Sequence, residues 1–239
     1  MSEVQLTHLV YGGECIGRLA DGRAVFVPYG LPGESVSVEL VEEKKRFARG
    51  RILEIIQPSP ERVQPRCAHY GACGGCQYQH MPYARQLAAK REILIDQLKR
   101  IGGIPDPPVE EMAPSPLPWN YRNSVQFHLT KEGRLGFQGW GSGGVVPIRE
   151  CHLPEAALNA LWPQLDLEPL PGLEKIELRL GAGEDILLAL EANDLELPEF
   201  EADLPQMGIE LAGGASEVAL LVEVPHANGI VASQWMCRR

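Results

Sequence analysis

Three cysteines share one short loop. The run Cys67-Ala68-His69-Tyr70-Gly71-Ala72-Cys73-Gly74-Gly75-Cys76-Gln77-Tyr78-Gln79-His80 carries the spacing C-x5-C-x2-C, with two glycines between the last pair. Packing does not explain this, because a single compact loop cannot bury three thiols. Thiolates so spaced are soft ligands for zinc or for an iron–sulfur cluster. Gly74-Gly75 lets the backbone curl around the sulfurs with no Cβ in the way, and lets amide N–H groups turn toward them. A tetrahedral thiolate set needs a fourth member, and Cys15, Cys151 and Cys237 are the candidates. Cys151 lies in Pro147-Ile148-Arg149-Glu150-Cys151-His152-Leu153-Pro154, after a strand-like run and before a helix-like one. That is a fixed corner, suited to closing a site. Cys15 falls in a glycine-rich turn, and Cys237 in a tail expected to fray. We therefore assign the metal site to Cys67, Cys73, Cys76 and Cys151.

Other chemistry remains open for the same residues. Four-cysteine zinc sites use the same ligands, although they usually come as two C-x2-C halves and one half is present here. Cys73-Gly74-Gly75-Cys76 also reads as a redox dithiol, which leaves Cys67 without a role. His69, His80 and His152 flank the cysteines and could substitute as ligands; ordinary hydrogen bonding is the simpler reading of each.

A second candidate lies upstream. Glu42 to Arg51 combines Lys44, Lys45, Arg46, Arg49 and Arg51 with the aromatic Phe47. Cations beside an exposed aromatic suit single-stranded nucleic acid, through phosphate contacts and base stacking. The plainer reading is a solvated hairpin whose charges keep a sheet edge soluble.

The elements that must position these residues follow from periodicity and turn signals. Residues 1–58 read as short strands, at Leu6–Val10, Ala24–Val27, Ser35–Val41 and Arg49–Ile56, separated by glycine and proline turns. That spacing suggests a small OB-like β-barrel with the basic segment as one of its hairpins. Residues 59–103 hold the cysteine loop and a helix over Pro82 to Ile101, with Ala84, Leu87, Leu94, Leu98 and Ile101 on one apolar face. Gly102-Gly103 and the prolines beyond stop it. Residues 104–225 read as an α+β region. Its strands lie at Tyr121–Thr130, Arg134–Phe137, Val145–Ile148, Lys175–Leu180, Ile186–Glu191 and Glu217–Val224, with a short helix at Pro154–Leu161. Residues 226–239 read as a tail. The fold class is thus mainly β with α.

Composition narrows the function. The net charge of −10 is uneven: residues 132–239 carry net −12, whereas residues 61–131 carry net +3, which leaves room for RNA contacts. No apolar run approaches the ~18 residues of a membrane span. The start Met1-Ser2-Glu3-Val4 has no basic and apolar leader pattern, so a reducing cytoplasm is expected rather than secretion with disulfides.

These elements resemble a family. C-x5-C-G-G-C-Q-x-Q-H followed by an amphipathic helix, the Tyr-Arg-Asn element within Trp119-Asn120-Tyr121-Arg122-Asn123, and Cys151 after a second sheet region are similar to the N-terminal half of bacterial 23S rRNA uracil-5-methyltransferases that carry an iron–sulfur cluster. Residues 1–58 look like the TRAM domain of that family, and the resemblance covers roughly residues 1–195. It implies a [4Fe–4S] cluster on Cys67, Cys73, Cys76 and Cys151. It also implies an RNA partner, 23S rRNA in a single-stranded or loop form. Arg122 would then contact a phosphate or a splayed base, where the plainer reading is a charge at a strand edge. In the family a Rossmann-like domain binds S-adenosylmethionine and supplies the cysteine that attacks uracil C6. No strand–Gly-x-Gly–helix unit is recognisable here, and Cys237 does not take that cysteine's place. The expectation is therefore an RNA-binding portion with no S-adenosylmethionine site of its own, inactive alone, and served by a separate catalytic domain or subunit. A non-catalytic RNA-binding module and a purely structural four-cysteine protein are the alternatives.

Overall fold

A computed structural model of the chain describes residues 1–141, 143–165, 173–181, 186–192, 218–225 and 231–237. It divides into two compact units, Met1–Gly71 with Cys76–Pro116, and Ala72–Gly75 with Leu117–Arg239. No described helix is long and apolar enough to cross a membrane.

The first unit is built on a closed five-stranded barrel, β1 (Ser2–Leu9), β2 (Glu14–Arg18), β3 (Ala24–Pro28), β4 (Ser35–Glu43) and β5 (Phe47–Gln57). Its order is β1-β2-β3-β5-β4, closed by β1 against β4 and antiparallel except for the β3–β5 pair. Alternation aims Val4, Leu6, Val25, Val27, Val36 and Val38 inward, all of them buried. The expected barrel is therefore present. β2 is an addition that the sequence hides, because Glu-Cys-Ile-Gly-Arg does not alternate and Ile16 is its one β-branched residue. Its Gly17 is required by the close approach of β1: a Cβ there would collide with the Val4 side chain and with the Gln5 carbonyl.

The helix of this unit, α1 (Tyr83–Arg100), begins after Pro82 and ends at Ile101, with Gly103 at φ +66° beyond it. Its apolar face is not the expected one. Ala89 and Ile93 are buried in the barrel's core cluster, whereas Leu94 and Ile101 are exposed. The small Ala89 gives little apolar signal, so counting large residues places the contact too far around the helix.

The second unit is a seven-stranded sheet ordered β12-β11-β10-β9-β6-β7-β8. Its strands are β6 (Ser124–Leu129), β7 (Leu135–Gln138), β8 (Val145–Pro147), β9 (Leu173–Leu180), β10 (Ile186–Ala192), β11 (Val218–Pro225) and β12 (Val231–Cys237). β10 and β11 run parallel, and the other neighbours are antiparallel. One face packs against α2 (Ala156–Leu161) and the 3-10 turn Trp162–Gln164. There Phe127, Ile176, Leu178 and Leu188 meet Leu158, Leu161 and Trp162. Phe127 stacks on Phe137 at 5.2 Å and lies 5.3 Å from Trp162. Where the sequence suggests a fraying tail, Val231–Cys237 forms β12 and pairs with β11.

Candidate cysteine site and nucleic-acid interface

Cys67 and Cys76 belong to the first unit, where the motif around them is tied down. The Cys67 N–H donates to Oε1 of the buried Gln79 at 3.1 Å. The Tyr70 hydroxyl lies 2.8 Å from the Gln77 carbonyl and 2.5 Å from His80 Nδ1. His80 is buried, with Nε2 3.3 Å from the Gly30 carbonyl. Burial, aided by the Arg62 cation, pulls its pKa down to about 4, so it is a neutral structural imidazole. Of the two histidine readings, hydrogen bonding therefore describes His80. Gln79 and Tyr70 carry roles that residue type alone did not announce; their nearness to the cysteines was the only signal.

Cys73 and Cys151 belong to the second unit. Ala72 to Gly75 lies along the end of β7. Cys73 bridges to Gly139, the Gly74 N–H donates to the Gln138 carbonyl at 2.9 Å, and the Trp140 N–H to the Ala72 carbonyl at 3.3 Å. A Cβ on Gly74 would stand 2.8 Å from the Gln138 oxygen, so glycine is required. The Gly75 N–H then donates to Cys73 Sγ at 3.4 Å. Cys151 sits on the connection from β8 to α2. Asn120, at φ +53°, donates its N–H to the His152 carbonyl and its Nδ2 to the Pro154 carbonyl. The Arg122 N–H donates to the Leu153 carbonyl, and the Glu155 N–H to that of Arg122. The Tyr-Arg-Asn element and the Cys151 segment, far apart in sequence, are thus sewn together. The Arg122 residue itself is exposed. His152 stands edge-on to Trp119 at 6.0 Å, with Nε2 3.6 Å from a Glu150 oxygen.

All four assigned cysteines are thiols of intermediate burial. Among the described residues no three Cys, His, Asp or Glu side chains form a metal-binding group. Each of the four carries a thiol, the kind of donor that zinc and iron–sulfur clusters take, and Cys73 Sγ accepts a backbone N–H bond. Cys15 is unsuited. It is fully buried in the barrel core, its thiol donates to the His8 carbonyl at 3.3 Å, and burial pushes its pKa up to about 12. The Cys237 side chain lies outside the described residues, although its backbone ends β12.

The basic segment is the β4–β5 turn, closed by the Lys44 N–H donating to the Phe47 carbonyl at 2.8 Å. Several of its groups are already engaged. Lys44 pairs with Glu42 at 3.1 Å, and Arg51 with Glu39. Arg49 pairs with Glu14 and Glu42, and lies over the Phe26 ring at 5.8 Å. Phe47 is half-buried and edge-on to Phe26, so the open stacking aromatic expected there is instead a packed one. Lys45 and Arg46 are exposed and make no ion pair among the described residues. They are the cations left for phosphate.

With the barrel and its turn in view, comparison with known proteins is informative. Residues 2–53 match the TRAM domain. The TRAM barrel continues into similarity with RNA methyltransferases. The chain is 38% identical over 179 residues to an uncharacterized RNA methyltransferase of Aquifex aeolicus, covering 74% of this chain and 42% of that protein. It is 33% identical over 208 residues to the 23S rRNA (uracil(1939)-C(5))-methyltransferase RlmD of an Enterobacter species, covering 83% and 46%. A crystal structure of the Pyrococcus abyssi tRNA (uracil-54, C5)-methyltransferase with S-adenosyl-L-homocysteine aligns at TM-score 0.60 and 22% identity, over 98% of this chain and 55% of that one. That last likeness is one of fold. The chain spans about half the length of the curated relatives it matches. The expectation that a catalytic domain is missing draws no support from these matches.

Proposed function

We propose that the TRAM barrel and the sheet unit grip RNA for a uracil-5-methyltransferase acting on 23S rRNA, with S-adenosylmethionine as methyl donor of the complete protein. The observation that carries this reading is a TRAM barrel whose β4–β5 turn presents Lys45 and Arg46 to solvent. Arg122, exposed just ahead of β6, offers a planar guanidinium to the same ligand. Similarity to RNA methyltransferases across most of the chain supports it. Cys67, Cys73, Cys76 and Cys151 hold a [4Fe–4S] cluster in this reading, a role supported by their all-thiol chemistry. The setting is cytoplasmic.

The test is binding to a single-stranded rRNA fragment across a salt series. Affinity should fall steeply with salt, and replacing Lys45 and Arg46 by alanine should flatten the log–log slope by about 1.4, at ~0.7 per single-strand phosphate contact. Absence of binding at low salt overturns the reading. Methyl transfer to uridine C5 belongs to the complete protein, and turnover by the 239-residue chain alone would overturn that division.

A further inference from the structure

Among the described residues, one face of the sheet packs under α2 and the 3-10 turn, and the other carries partly exposed polar side chains. Alternation along β6 sends Val125 and Phe127 to the core and puts Gln126 and His128 on the other side. A pocket of 310 Å³ opens at this edge of the sheet, lined by Gln126, His128, Phe137, Gln138, Trp140 and the Gly74-Gly75 turn. Its hollow has a sequence cause. Gly74, held to the Gln138 carbonyl, keeps the rim low at a point where a Cβ would not fit.

The lining has a specific chemistry. Trp140, 36% exposed, supplies a flat apolar plate, and His128 a second ring. The two glutamines each bring an amide with donors and an acceptor. Among the described residues, no carboxylate and no Lys or Arg lines the pocket. Along β9, Lys175 stands opposite His128, Glu177 opposite Gln126 and Arg179 opposite Ser124. Lys175 is paired with Glu191 at 2.6 Å and Arg179 with Glu177 at 2.7 Å, so this flank is electrically balanced. A ligand held here is therefore planar and uncharged at its buried end, with a polar edge to be read. The volume sits near the lower end of the ~300–1,000 Å³ range of small-molecule pockets, which suits one nucleoside and no larger group.

We propose that this pocket receives one unstacked base of the bound RNA, stacked on Trp140 and read along its edge by Gln126 and Gln138. The inference rests on the RNA-gripping reading and adds a base site, of stacking character, to the phosphate-binding turn of the barrel. The two differ in salt dependence: the turn acts through charge, and the pocket acts through stacking.

The test uses the whole chain and single-stranded hexauridylate, followed by fluorescence anisotropy from low to moderate salt. Trp140→Ala should weaken binding by about tenfold or more, the loss of one stacked base, with the salt slope unchanged. Trp140→Phe should keep most of the affinity, and Gln126→Ala should weaken it several-fold. Circular dichroism on each variant confirms the fold, and the phenylalanine and glutamine variants keep the test decisive if the alanine variant misfolds. Wild-type affinity in both Trp140→Phe and Gln126→Ala, together with a folded Trp140→Ala that binds normally, overturns the pocket and leaves the RNA reading standing. No binding by the wild-type chain overturns both. Free uridine monophosphate binding as tightly as the oligonucleotide would make this a nucleotide site and overturn its assignment to RNA.

Discussion

Replacing Arg62 by methionine is expected to destabilise the barrel by about 3–5 kcal/mol, the cost of stranding a buried charge. The charge is Glu34, which is fully buried at the β4 entrance. Arg62 donates from Nε to Glu34 Oε1 at 2.6 Å and from Nη2 to Oε2 at 2.8 Å. The Leu31 and Ser59 N–H groups donate to the same carboxylate at 2.8 and 3.1 Å. Arg62 also reaches the Tyr29 carbonyl at 2.7 Å. One ion pair thus fastens the chain leaving the barrel to the turn between β3 and β4. Methionine keeps much of the stem's packing and removes the guanidinium bonds to Glu34 and Tyr29, leaving the Leu31 and Ser59 amides in place. Hydrogen exchange at Val36 and Val38, inside the barrel, reads the loss without interference from the sheet unit. Protection unchanged from wild type would show that the pair carries no net stability.

The pH dependence of the same pair has a definite sign. Burial alone would raise the Glu34 pKa; the Arg62 guanidinium and the two amides outweigh it and hold the carboxyl below its ordinary value. An unfolded glutamate titrates near ~4.3, so the pair's contribution is complete above that pH and is lost as pH falls through the lower folded value. Without Arg62 burial dominates and the folded pKa rises above ~4.3, so the variant should gain stability as it is acidified from neutrality. Opposite acid slopes in wild type and Arg62→Met are the expected signature.

What the sequence made legible, and what it did not, follows from the range of each interaction. The strands β3, β4, β9 and β10 and the limits of α1 were readable because alternation, Pro82 and Gly102-Gly103 are local signals. β2 was not, since Gly17 is dictated by Val4 on another strand. The buried face of α1 was misplaced because Ala89 and Ile93 are chosen by the barrel core. Glu34 and Arg62 look like ordinary surface charges until the fold brings them together. At the candidate sites, the cysteine motif was legible as ligand chemistry. The engagement of Arg49 and Phe47 by Glu14 and Phe26 was not, because it is made between strands. The Trp140 pocket was hidden for the same reason: Gln126, His128 and Gln138 are unremarkable singly and acquire meaning through register.

Anaerobically prepared protein is expected to be brown, with broad visible absorbance, and to lose that colour in each of Cys67→Ser, Cys73→Ser, Cys76→Ser and Cys151→Ser. Serine keeps the size of the side chain and replaces a soft thiolate by a hydroxyl that holds iron poorly. The control is Cys15→Ala, which removes a thiol from the barrel core and should cost stability, not iron. That thiol is buried, holds its proton and already serves as a donor to His8, so it cannot stand in for a lost ligand. Iron and sulfide should be retained in Cys15→Ala and depleted severalfold or more in the other four, as measured by metal analysis beside the spectrum. Colourless wild-type protein containing one zinc would replace the cluster by a four-cysteine zinc site with the same ligands. Iron retained in Cys151→Ser would remove Cys151 from the set. Gly75 gives this prediction a local control. Its N–H donates to Cys73 Sγ, and no Cβ at Gly75 would meet a closer neighbour than that sulfur, at 3.5 Å. Gly75→Ala therefore adds only an ordinary van der Waals contact to that sulfur, so iron retention and the barrel's stability should both stay near those of the wild type.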